Sequence, residues 1–230
     1  MPDNKTVYAH HGNEYEALIA HEDYQGNILS ALRDITPLEN RVVLDLGAGT
    51  GRLACMLAPL VAHVHAFDIA PDMLRVCREK LTESGLTNWE VNIADHRELP
   101  VGDHRADLIV SGWSVSYLAV WNPETWRIEL DKALTEMRRV LKPGSLIVLF
   151  ESLGTGNESP VELEHLRNFY LWLDEAGFQK KWIRTDYKFE SLEEAEYLSR
   201  FFFGDSVGDK VRKKNWIVLP ECTGVWWTKI

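Results

Sequence analysis

The stretch VVLDLGAGTG (42–51) passes from an apolar run directly into three closely spaced glycines, and a helix-like pattern begins at Arg52. A strand that ends in a glycine loop and continues into a helix is typical of a parallel α/β sheet. Glycines permit a tight turn and let a ligand approach bare backbone at the positive end of the next helix. The stretch therefore predicts an α/β fold with a ligand site at this loop.

Along the rest of the chain, short apolar runs alternate with amphipathic stretches, which predicts a doubly wound, mostly parallel sheet. The strands are predicted at 41–46, 62–67, 89–93, 106–110, 146–150, 181–189 and 222–230. The last two strands are expected to form an antiparallel pair at one edge of this seven-stranded sheet. The helices outside the strand–helix repeat are predicted at 14–20, 24–32, 160–176 and 192–203, and residues 204–214 are the one linker-like polar stretch.

The spacing of the glycines discriminates between two nucleotide cofactors. A dinucleotide loop follows G-x-G-x-x-G and needs its third glycine at position 52, where this chain has Arg52. Asp45, two residues before the first glycine, suits the ammonium at the methionine end of S-adenosylmethionine and would repel a pyrophosphate. The loop therefore favours S-adenosylmethionine over NAD.

Two further sites along the sheet suit the adenosine part of such a ligand. Asp68 ends the second strand, where a carboxylate can accept both hydroxyls of a ribose, although capping the helix that begins near Pro71 is the alternative. Ala94 and Asp95 follow the third strand, where a side chain and backbone can meet the adenine edge. For Asp95, an ordinary surface acid is the alternative.

Five segments carry a resemblance to a known family. They are VVLDLGAGTGRL (42–53), HAFDIAPDML (65–74), NIADHRELP (92–100), ADLIVSGWSV (106–115) and MRRVLKPGSLIVLFE (137–151). Together they resemble the class I S-adenosylmethionine-dependent methyltransferases, notably the small-molecule group that includes quinone-biosynthesis-like enzymes. The resemblance covers residues 40–151 and implies a Rossmann-like methyltransferase fold.

The resemblance implies S-adenosylmethionine as cofactor and S-adenosylhomocysteine as product. The cofactor-binding residues that it implies are Asp45, Gly47, Ala48, Gly49, Thr50, Gly51, Asp68, Ile69, Met73, Ala94, Asp95, Ser111, Gly112 and Trp113. Asp45 would hold the ammonium, Asp68 the ribose and Asp95 the adenine amine. The segment 111–113 would close the site under the sulfonium.

The acceptor side is less defined, because methyl transfer is an in-line displacement that needs positioning and only sometimes a base. The acceptor-pocket candidates are the aromatic residues Tyr15, Tyr24 and Tyr117. The catalytic residue is unknown from sequence, and its candidates are His21, Glu151 and Tyr187. Phe201 to Phe203 are expected in the core, with a cap over the acceptor pocket as the alternative. Trp172 and Trp182 are expected in the core, and Trp226 and Trp227 on opposite faces of a strand.

Composition and motifs argue against a nucleic acid or a membrane as partner and so favour a small molecule. The net charge of -10 argues against nucleic acid, which needs a basic stripe. The position after the fourth strand reads Ser-Gly-Trp-Ser (111–114), without the N/D-P-P-Y/F motif of base amine methylation or a nucleophilic cysteine. No run approaches the ~18 apolar residues of a membrane span. Three scattered cysteines predict a reduced, cytoplasmic protein.

No metal is expected. His63 and His65 alternate on one strand, and the sequence offers no third ligand nearby.

We therefore expect a single domain over 1–230, with an N-terminal helical cap (1–39), a cofactor-binding core (40–151) and a sheet-completing, acceptor-side region (152–230). Residues 1–35 are expected to close over the cofactor. The expected enzyme is an S-adenosylmethionine-dependent methyltransferase acting on a small molecule. The alternatives are a cofactor-binding protein without methyl transfer, a protein or RNA methyltransferase, and an NAD-dependent oxidoreductase.

Overall fold

The computed structural model describes residues 10–230. Its strands are β1 (Val42–Leu46), β2 (His63–Asp68), β3 (Trp89–Ile93), β4 (Ala106–Gly112), β5 (Leu141–Thr155), β6 (Gln179–Arg184), β7 (Tyr187–Lys188), β8 (Val218–Leu219) and β9 (Glu221–Lys229). Its helices are α1 (Gly12–Ile19), α2 (Asn27–Ile35), α3 (Arg52–Leu57), α4 (Pro71–Glu83), α5 (Tyr117–Val120), α6 (Trp126–Val140), α7 (Arg167–Glu175), α8 (Leu192–Phe203) and α9 (Asp205–Lys214), with a 3₁₀ turn at Glu164–Leu166.

Seven strands form one sheet in the order β3-β2-β1-β4-β5-β9-β6. The first five are parallel, and β9 runs antiparallel to both β5 and β6, so the edge of the sheet is an antiparallel pair. The predicted fold class is confirmed. Because the chain moves outward from β1 in both directions, the strand order reverses between β1 and β4, and this is where open α/β sheets bind ligands.

The sheet is covered on both faces, as the alternation of its side chains requires. Along β5, Ile147 and Leu149 pack into the cluster that contains α6 and α7, whereas Val148 and Phe150 pack into the cluster on the opposite face. Strand β4 alternates in the same way, with Ile109 on the first face. The central strands are therefore buried on both sides, which explains their near-continuous runs of Val, Leu and Ile.

The predicted long strand at 181–189 is wrong, because the chain leaves the sheet at Thr185. Its hydroxyl lies 2.6 Å from that of Thr223, and its backbone N–H donates to the Glu221 carbonyl. Asp186 then accepts the backbone N–H of Glu221 at 2.9 Å. These buried polar groups end β6 and start β7, which pairs with β8 in a separate two-stranded sheet.

Two other predicted segments also differ from the structure. Residues 204–214 are not a linker, because 205–214 form α9, whose Val211 is buried in a third cluster with α8. The helix predicted at 160–176 begins only at the 3₁₀ turn of residues 164–166.

The tryptophans differ in burial according to where they lie in the fold. Trp172 is buried and Trp226 and Trp227 belong to opposite faces of the sheet, as expected. The expectation that Trp182 is a core residue is wrong, because this side chain is 49% exposed. It lies on β6, the edge strand, where one side of the strand has no neighbour.

Residues 1–9 of the predicted cap and closing segment lie outside the described residues, and α1 and α2 belong to its remainder. Within residues 10–230, we find no helix with both the length and the apolar character that a membrane crossing requires. The division of residues 1–230 into cap, core and acceptor-side region remains a prediction.

We expect Trp226→Ala to lower the free energy of unfolding by about 3–5 kcal/mol, because it removes a buried ring and leaves a cavity. Trp226 stacks on Tyr170, with ring centroids 5.8 Å apart. The matched control Trp182→Ala removes the same side chain from the exposed edge and is expected to cost no more than about 1 kcal/mol. Urea unfolding of the two variants measures the difference, and equal losses would contradict this assignment of the core.

Candidate active site

A cavity of about 970 Å³ opens where the strand order reverses, at the carboxyl ends of β1, β2 and β4. Most of the predicted cofactor-binding residues lie on its wall. They are Asp45, Gly47, Ala48, Gly49, Thr50, Asp68, Ile69, Met73, Asp95, Gly112 and Trp113. The cavity therefore brings together residues from four strand ends, since Asp95 follows β3.

Asp45 is the most unusual group in this cavity. It is 1% exposed, and neither carboxylate oxygen has a hydrogen-bond partner among the described residues. Burial is the main cause that raises the pKa of Asp45 to about 7. A buried carboxylate without a partner is costly, so its place on a cavity wall suits a cationic ligand group.

The glycine loop is held against β2. The backbone N–H groups of Gly47 and Ala48 both donate to the Phe67 carbonyl, at 2.8 and 2.9 Å. Gly47 has a φ of +71°, and a Cβ there would lie 1.8 Å from the Oγ of Ser114. Any other residue at position 47 would therefore be strained and would also collide with Ser114.

Asp68 links the glycine loop to the start of α4. One carboxylate oxygen accepts the backbone N–H of Gly49 at 2.8 Å, and the other accepts that of Ala70 at 2.9 Å. Each oxygen keeps a further lone pair, so these two bonds leave room for ligand hydroxyls. The sequence-based alternatives of ligand binding and local capping are thus compatible at this residue.

Asp95 lies on the cavity wall, but its carboxylate already forms a salt bridge with a neighbouring arginine. Arg97 donates to it through Nε at 2.7 Å and Nη2 at 2.6 Å, and these bonds lower the pKa of Asp95. Next to it, Nε2 of His96 lies 2.9 Å from the Oγ of Ser114. Sequence reasoning missed both His96 and Ser114, which meet only because the loops after β3 and β4 converge.

Three predicted cofactor residues do not lie on the cavity wall. A Cβ on Gly51 would lie 2.7 Å from the Sγ of Cys77, so this glycine serves close packing of the loop on α4. The Ser111 hydroxyl donates to the Leu46 carbonyl at 2.6 Å and thereby joins β4 to β1. Ala94 is buried, and its N–H donates to the Asp68 carbonyl.

A second cavity, of about 670 Å³, adjoins the first. The two share the side chains of Tyr15, Arg52, Trp113, Tyr117 and Trp121. Trp113 has a φ of +51°, which is a strained conformation for a bulky residue, and the Arg52 guanidinium lies 4.0 Å above its ring. A small molecule in the second cavity would therefore lie beside a ligand in the first.

Four of the predicted acceptor-side residues line the second cavity, namely Tyr15, Tyr117, Glu151 and Tyr187. Phe202 and Phe203 also line it while they pack against the third core cluster, so for these two residues the alternative of a cap over the acceptor pocket fits the structure. Burial raises the pKa of Glu151 to about 7, partly offset by hydrogen bonds from Ser116 and the Ser152 backbone.

Two predicted residues do not reach either cavity. Tyr24 is 47% exposed, and its ring lies 5.5 Å from the Lys188 ammonium. The Nδ1 of His21 lies 2.9 Å from the Lys188 carbonyl, and the ring packs against Phe189. The placement of Tyr24 in the acceptor pocket and the assignment of His21 as a base therefore do not fit the structure.

Sequence reasoning also missed two acids of the acceptor side. Glu221 is 2% exposed and lines the second cavity, and burial raises its pKa to about 8. The side chain of Glu22 is 1% exposed, and its carboxylate lies 2.5 Å from the guanidinium of Arg52, which lines the cavity. An acid that opens an apolar final strand is the one sequence signal that could have pointed to Glu221.

Comparison with known proteins agrees with this geometry. A family described as "Methyltransferase domain" matches residues 43–144. Residues 43–144 are thus similar to a methyltransferase domain, in agreement with the sequence motifs. Over 54% of its length it is 34% identical to the demethylmenaquinone methyltransferase of Clavibacter sepedonicus, of which the match covers 46%. Over 56% of its length it is 33% identical to the malonyl-[acyl-carrier protein] O-methyltransferase of Methylococcus capsulatus, of which the match covers 42%.

The match thus spans less than half the length of these curated relatives. Among solved structures, a SAM-dependent methyltransferase from Aquifex aeolicus superposes with a TM-score of 0.59 at 19% identity. That likeness covers 99% of this chain and 94% of the other, so the same fold extends beyond the residues that the sequence match reaches.

A cluster of two histidines and one glutamate lies apart from the two cavities. Glu90 on β3 lies beside His63 and His65, and the Nδ1 of His65 is 3.2 Å from its carboxylate. The ligand atoms of the three lie within 4.8 Å of one another. The premise that no third ligand lies nearby is therefore wrong, because parallel pairing aligns Glu90 with His65. That the protein needs no metal remains a prediction.

We expect Asp45→Asn to stabilise the protein in the absence of any ligand, and to do so more strongly at pH 8 than at pH 5. The pKa of Asp45 is about 7 in the folded protein and has its ordinary value of 3.8 in the unfolded chain. As the pH rises from 3.8 toward 7, the unfolded chain loses this proton while the folded state keeps it, so the folded state loses stability. Asparagine avoids this loss, and its advantage should grow by about 2 kcal/mol between pH 5 and 8.

Thermal unfolding of both proteins across this pH range measures the effect. Asp174→Asn is the matched control, because Asp174 is an exposed acid that pairs with Lys180 on the surface. Parallel stability profiles for Asp45→Asn and the unsubstituted protein would show that Asp45 is not a strained, buried acid.

Proposed function

We propose that the protein transfers a methyl group from S-adenosylmethionine to a small-molecule acceptor held in the second cavity. The observation that carries the proposal is the unpartnered, buried carboxylate of Asp45 in a cavity that shares a wall with a second one. The methyltransferase family that matches residues 43–144 supports it independently.

The residues of the first cavity fit the proposed cofactor. When bound, S-adenosylmethionine supplies a methyl group on a sulfonium sulfur, already activated for displacement. Asp45 would accept hydrogen bonds from its ammonium, and Asp68 would accept those of the ribose hydroxyls. Ile69 and Met73 offer apolar surface for the adenine, and we assign Asp95 to the adenine amine although Arg97 shares its carboxylate.

The residues of the second cavity would orient the acceptor and exclude water. Glu151 suits the role of base, because a carboxyl whose pKa is about 7 can take a proton near neutral pH. Tyr187 is buried, which raises its pKa well above the usual value, so its hydroxyl stays protonated and can donate a hydrogen bond. We therefore retain Glu151 and Tyr187 as catalytic candidates.

The same proposal includes the setting in which the protein works. Its three cysteines are free thiols in the structure, which supports the reducing cytoplasm as its compartment. The negative net charge supports a small molecule over nucleic acid, and we propose neither a nucleic acid nor a membrane as partner. An NAD-dependent reaction is disfavoured, because Asp45 would lie buried and unpaired beside a pyrophosphate.

We expect calorimetric titration with S-adenosylmethionine and S-adenosylhomocysteine to give micromolar dissociation constants, about -8 kcal/mol. NAD should not bind. Asp68→Ala should weaken binding of both adenosyl compounds at least tenfold, because it removes the expected ribose acceptor and loosens the glycine loop. Asp174→Ala, an exposed acid, should leave binding unchanged.

A pooled metabolite mixture and methyl-labelled cofactor would then test transfer itself, with Glu151→Gln as the catalytic variant. Labelled small-molecule product that falls with this variant supports the proposal. Binding of NAD alone, or labelled protein or RNA in place of a small molecule, would overturn it.

A further inference from the structure

We propose that the acceptor carries a basic amine on an apolar or aromatic body, and that Glu151 and Glu221 bind this amine as a pair. The inference rests on the proposed function and adds the chemical class of its substrate. It is carried by two buried carboxyl groups on the wall of the second cavity that form no salt bridge within residues 10–230, although the charge of Arg52 on the same wall acts on Glu151.

The two carboxyl groups are arranged by one residue. Ser152 donates its backbone N–H to Glu151 at 2.8 Å and its hydroxyl to Oε1 of Glu221 at 2.7 Å. Oε2 of Glu221 has no hydrogen-bond partner among the described residues, although Glu221 is 98% buried. The bridge holds two carboxyl groups toward the same space and leaves one acceptor atom unused.

The charges around the cavity are unbalanced when its acids are ionised. Arg52 is the cationic side chain on the wall, and Glu22 already neutralises it in an ion pair. Neither Glu151 nor Glu221 forms a salt bridge within residues 10–230. His165 lines the wall, but burial lowers its pKa and favours the neutral form. A ligand with one positive charge would supply what the protein does not.

The remainder of the wall suits the body of such a ligand. Tyr117 and Trp121 stack with ring centroids 4.7 Å apart, and Phe202 and Phe203 lie across the same cavity. Aromatic faces attract cations and also bury apolar surface. Tyr15 and Tyr187 face the cavity as well, and burial raises the pKa of both, so they add no negative charge.

The same pair can prepare the amine for methylation. An ammonium has no lone pair, so one of its N–H protons must leave first. Proton transfer to the carboxylate of Glu151 converts an ammonium and a carboxylate into a neutral amine and a carboxylic acid, with charge conserved. Tyr170, whose hydroxyl donates to the Ser152 carbonyl, is the other titratable group near Glu151, and its raised pKa keeps it neutral.

The second cavity should become more negatively charged as the pH rises. With pKa values of about 7 and 8, Glu151 is partly protonated and Glu221 mostly protonated in the empty cavity at pH 7. An ammonium ligand stabilises their ionised forms, so its binding should release protons. Amine affinity should therefore rise from pH 6 to pH 8.

Three probes separate the effect of ligand charge from that of ligand shape: 2-phenylethylamine, 2-phenylethanol and phenylacetate. Each has a phenyl ring on a short chain, and the polar group is positively charged, neutral and negatively charged in turn. Each is titrated into the full-length protein that has been saturated with S-adenosylhomocysteine. We expect the amine to bind at least tenfold more tightly than the alcohol, with phenylacetate weakest. Calorimetry in buffers of different ionisation enthalpy should show proton release with the amine and none with the alcohol.

The variants Glu221→Gln and Glu151→Gln keep the side-chain size and remove the charge. Each should weaken the amine about tenfold or more, as expected for loss of a charged hydrogen bond, and change the alcohol by less than about threefold. Glu193→Gln is the control, because Glu193 is an exposed acid on α8. Unchanged S-adenosylhomocysteine affinity in every variant shows that the fold and the cofactor cavity are intact.

The outcomes separate the two proposals. If S-adenosylhomocysteine does not bind, the proposed function fails before the acceptor is tested. If it binds but the alcohol or phenylacetate matches the amine, or if both Gln variants bind the amine normally, the amine inference is overturned and methyl transfer to a neutral or anionic acceptor remains.

Discussion

The site depends on the way in which the glycine loop is tied to the end of β2. Two backbone N–H groups of the loop converge on the Phe67 carbonyl, and a third, from Gly49, reaches the Asp68 carboxylate. These bonds turn the chain sharply at the carboxyl end of β1. They place α3 behind the loop and leave a cavity open at the point where the strand order reverses.

Burial of acids that form no salt bridge is the main energetic cost of this arrangement. Asp45 lies below the loop, and Glu151 and Glu221 lie on the acceptor side, and burial raises the pKa of all three. A protein selected only for stability would replace such groups with apolar ones. Their position on cavity walls is what distinguishes them from structural acids such as Asp107, whose pKa is lowered by Lys142 and the Val42 amide.

The two cavities are coupled through a shared wall. Arg52 follows the glycine loop, pairs with Glu22 from the segment after α1, and covers the ring of Trp113 at the end of β4. One side chain thus joins the N-terminal segment, the cofactor loop and the acceptor cavity. The strained φ of Trp113 is held in place by this packing, as is common at sites where geometry matters more than local stability.

Sequence alone determined the local features. The alternation of Val and Leu with amphipathic stretches predicted the parallel sheet, and the G-x-G-x-G spacing with Asp45 predicted the cofactor side, because both depend on residues close together in the chain. Where buried polar groups decide the path, as at Thr185 and Asp186, the pattern misled and one strand was predicted in place of two.

Only the tertiary structure decided the acceptor side. Glu221 meets Glu151 through Ser152, although about 70 residues separate them in the chain, because β9 pairs with β5. His96 meets Ser114 for the same kind of reason, and Tyr24 and His21 point elsewhere although their residue types suited the role. Contacts between distant segments follow from how strands pair and cavities close, and no local spacing records them.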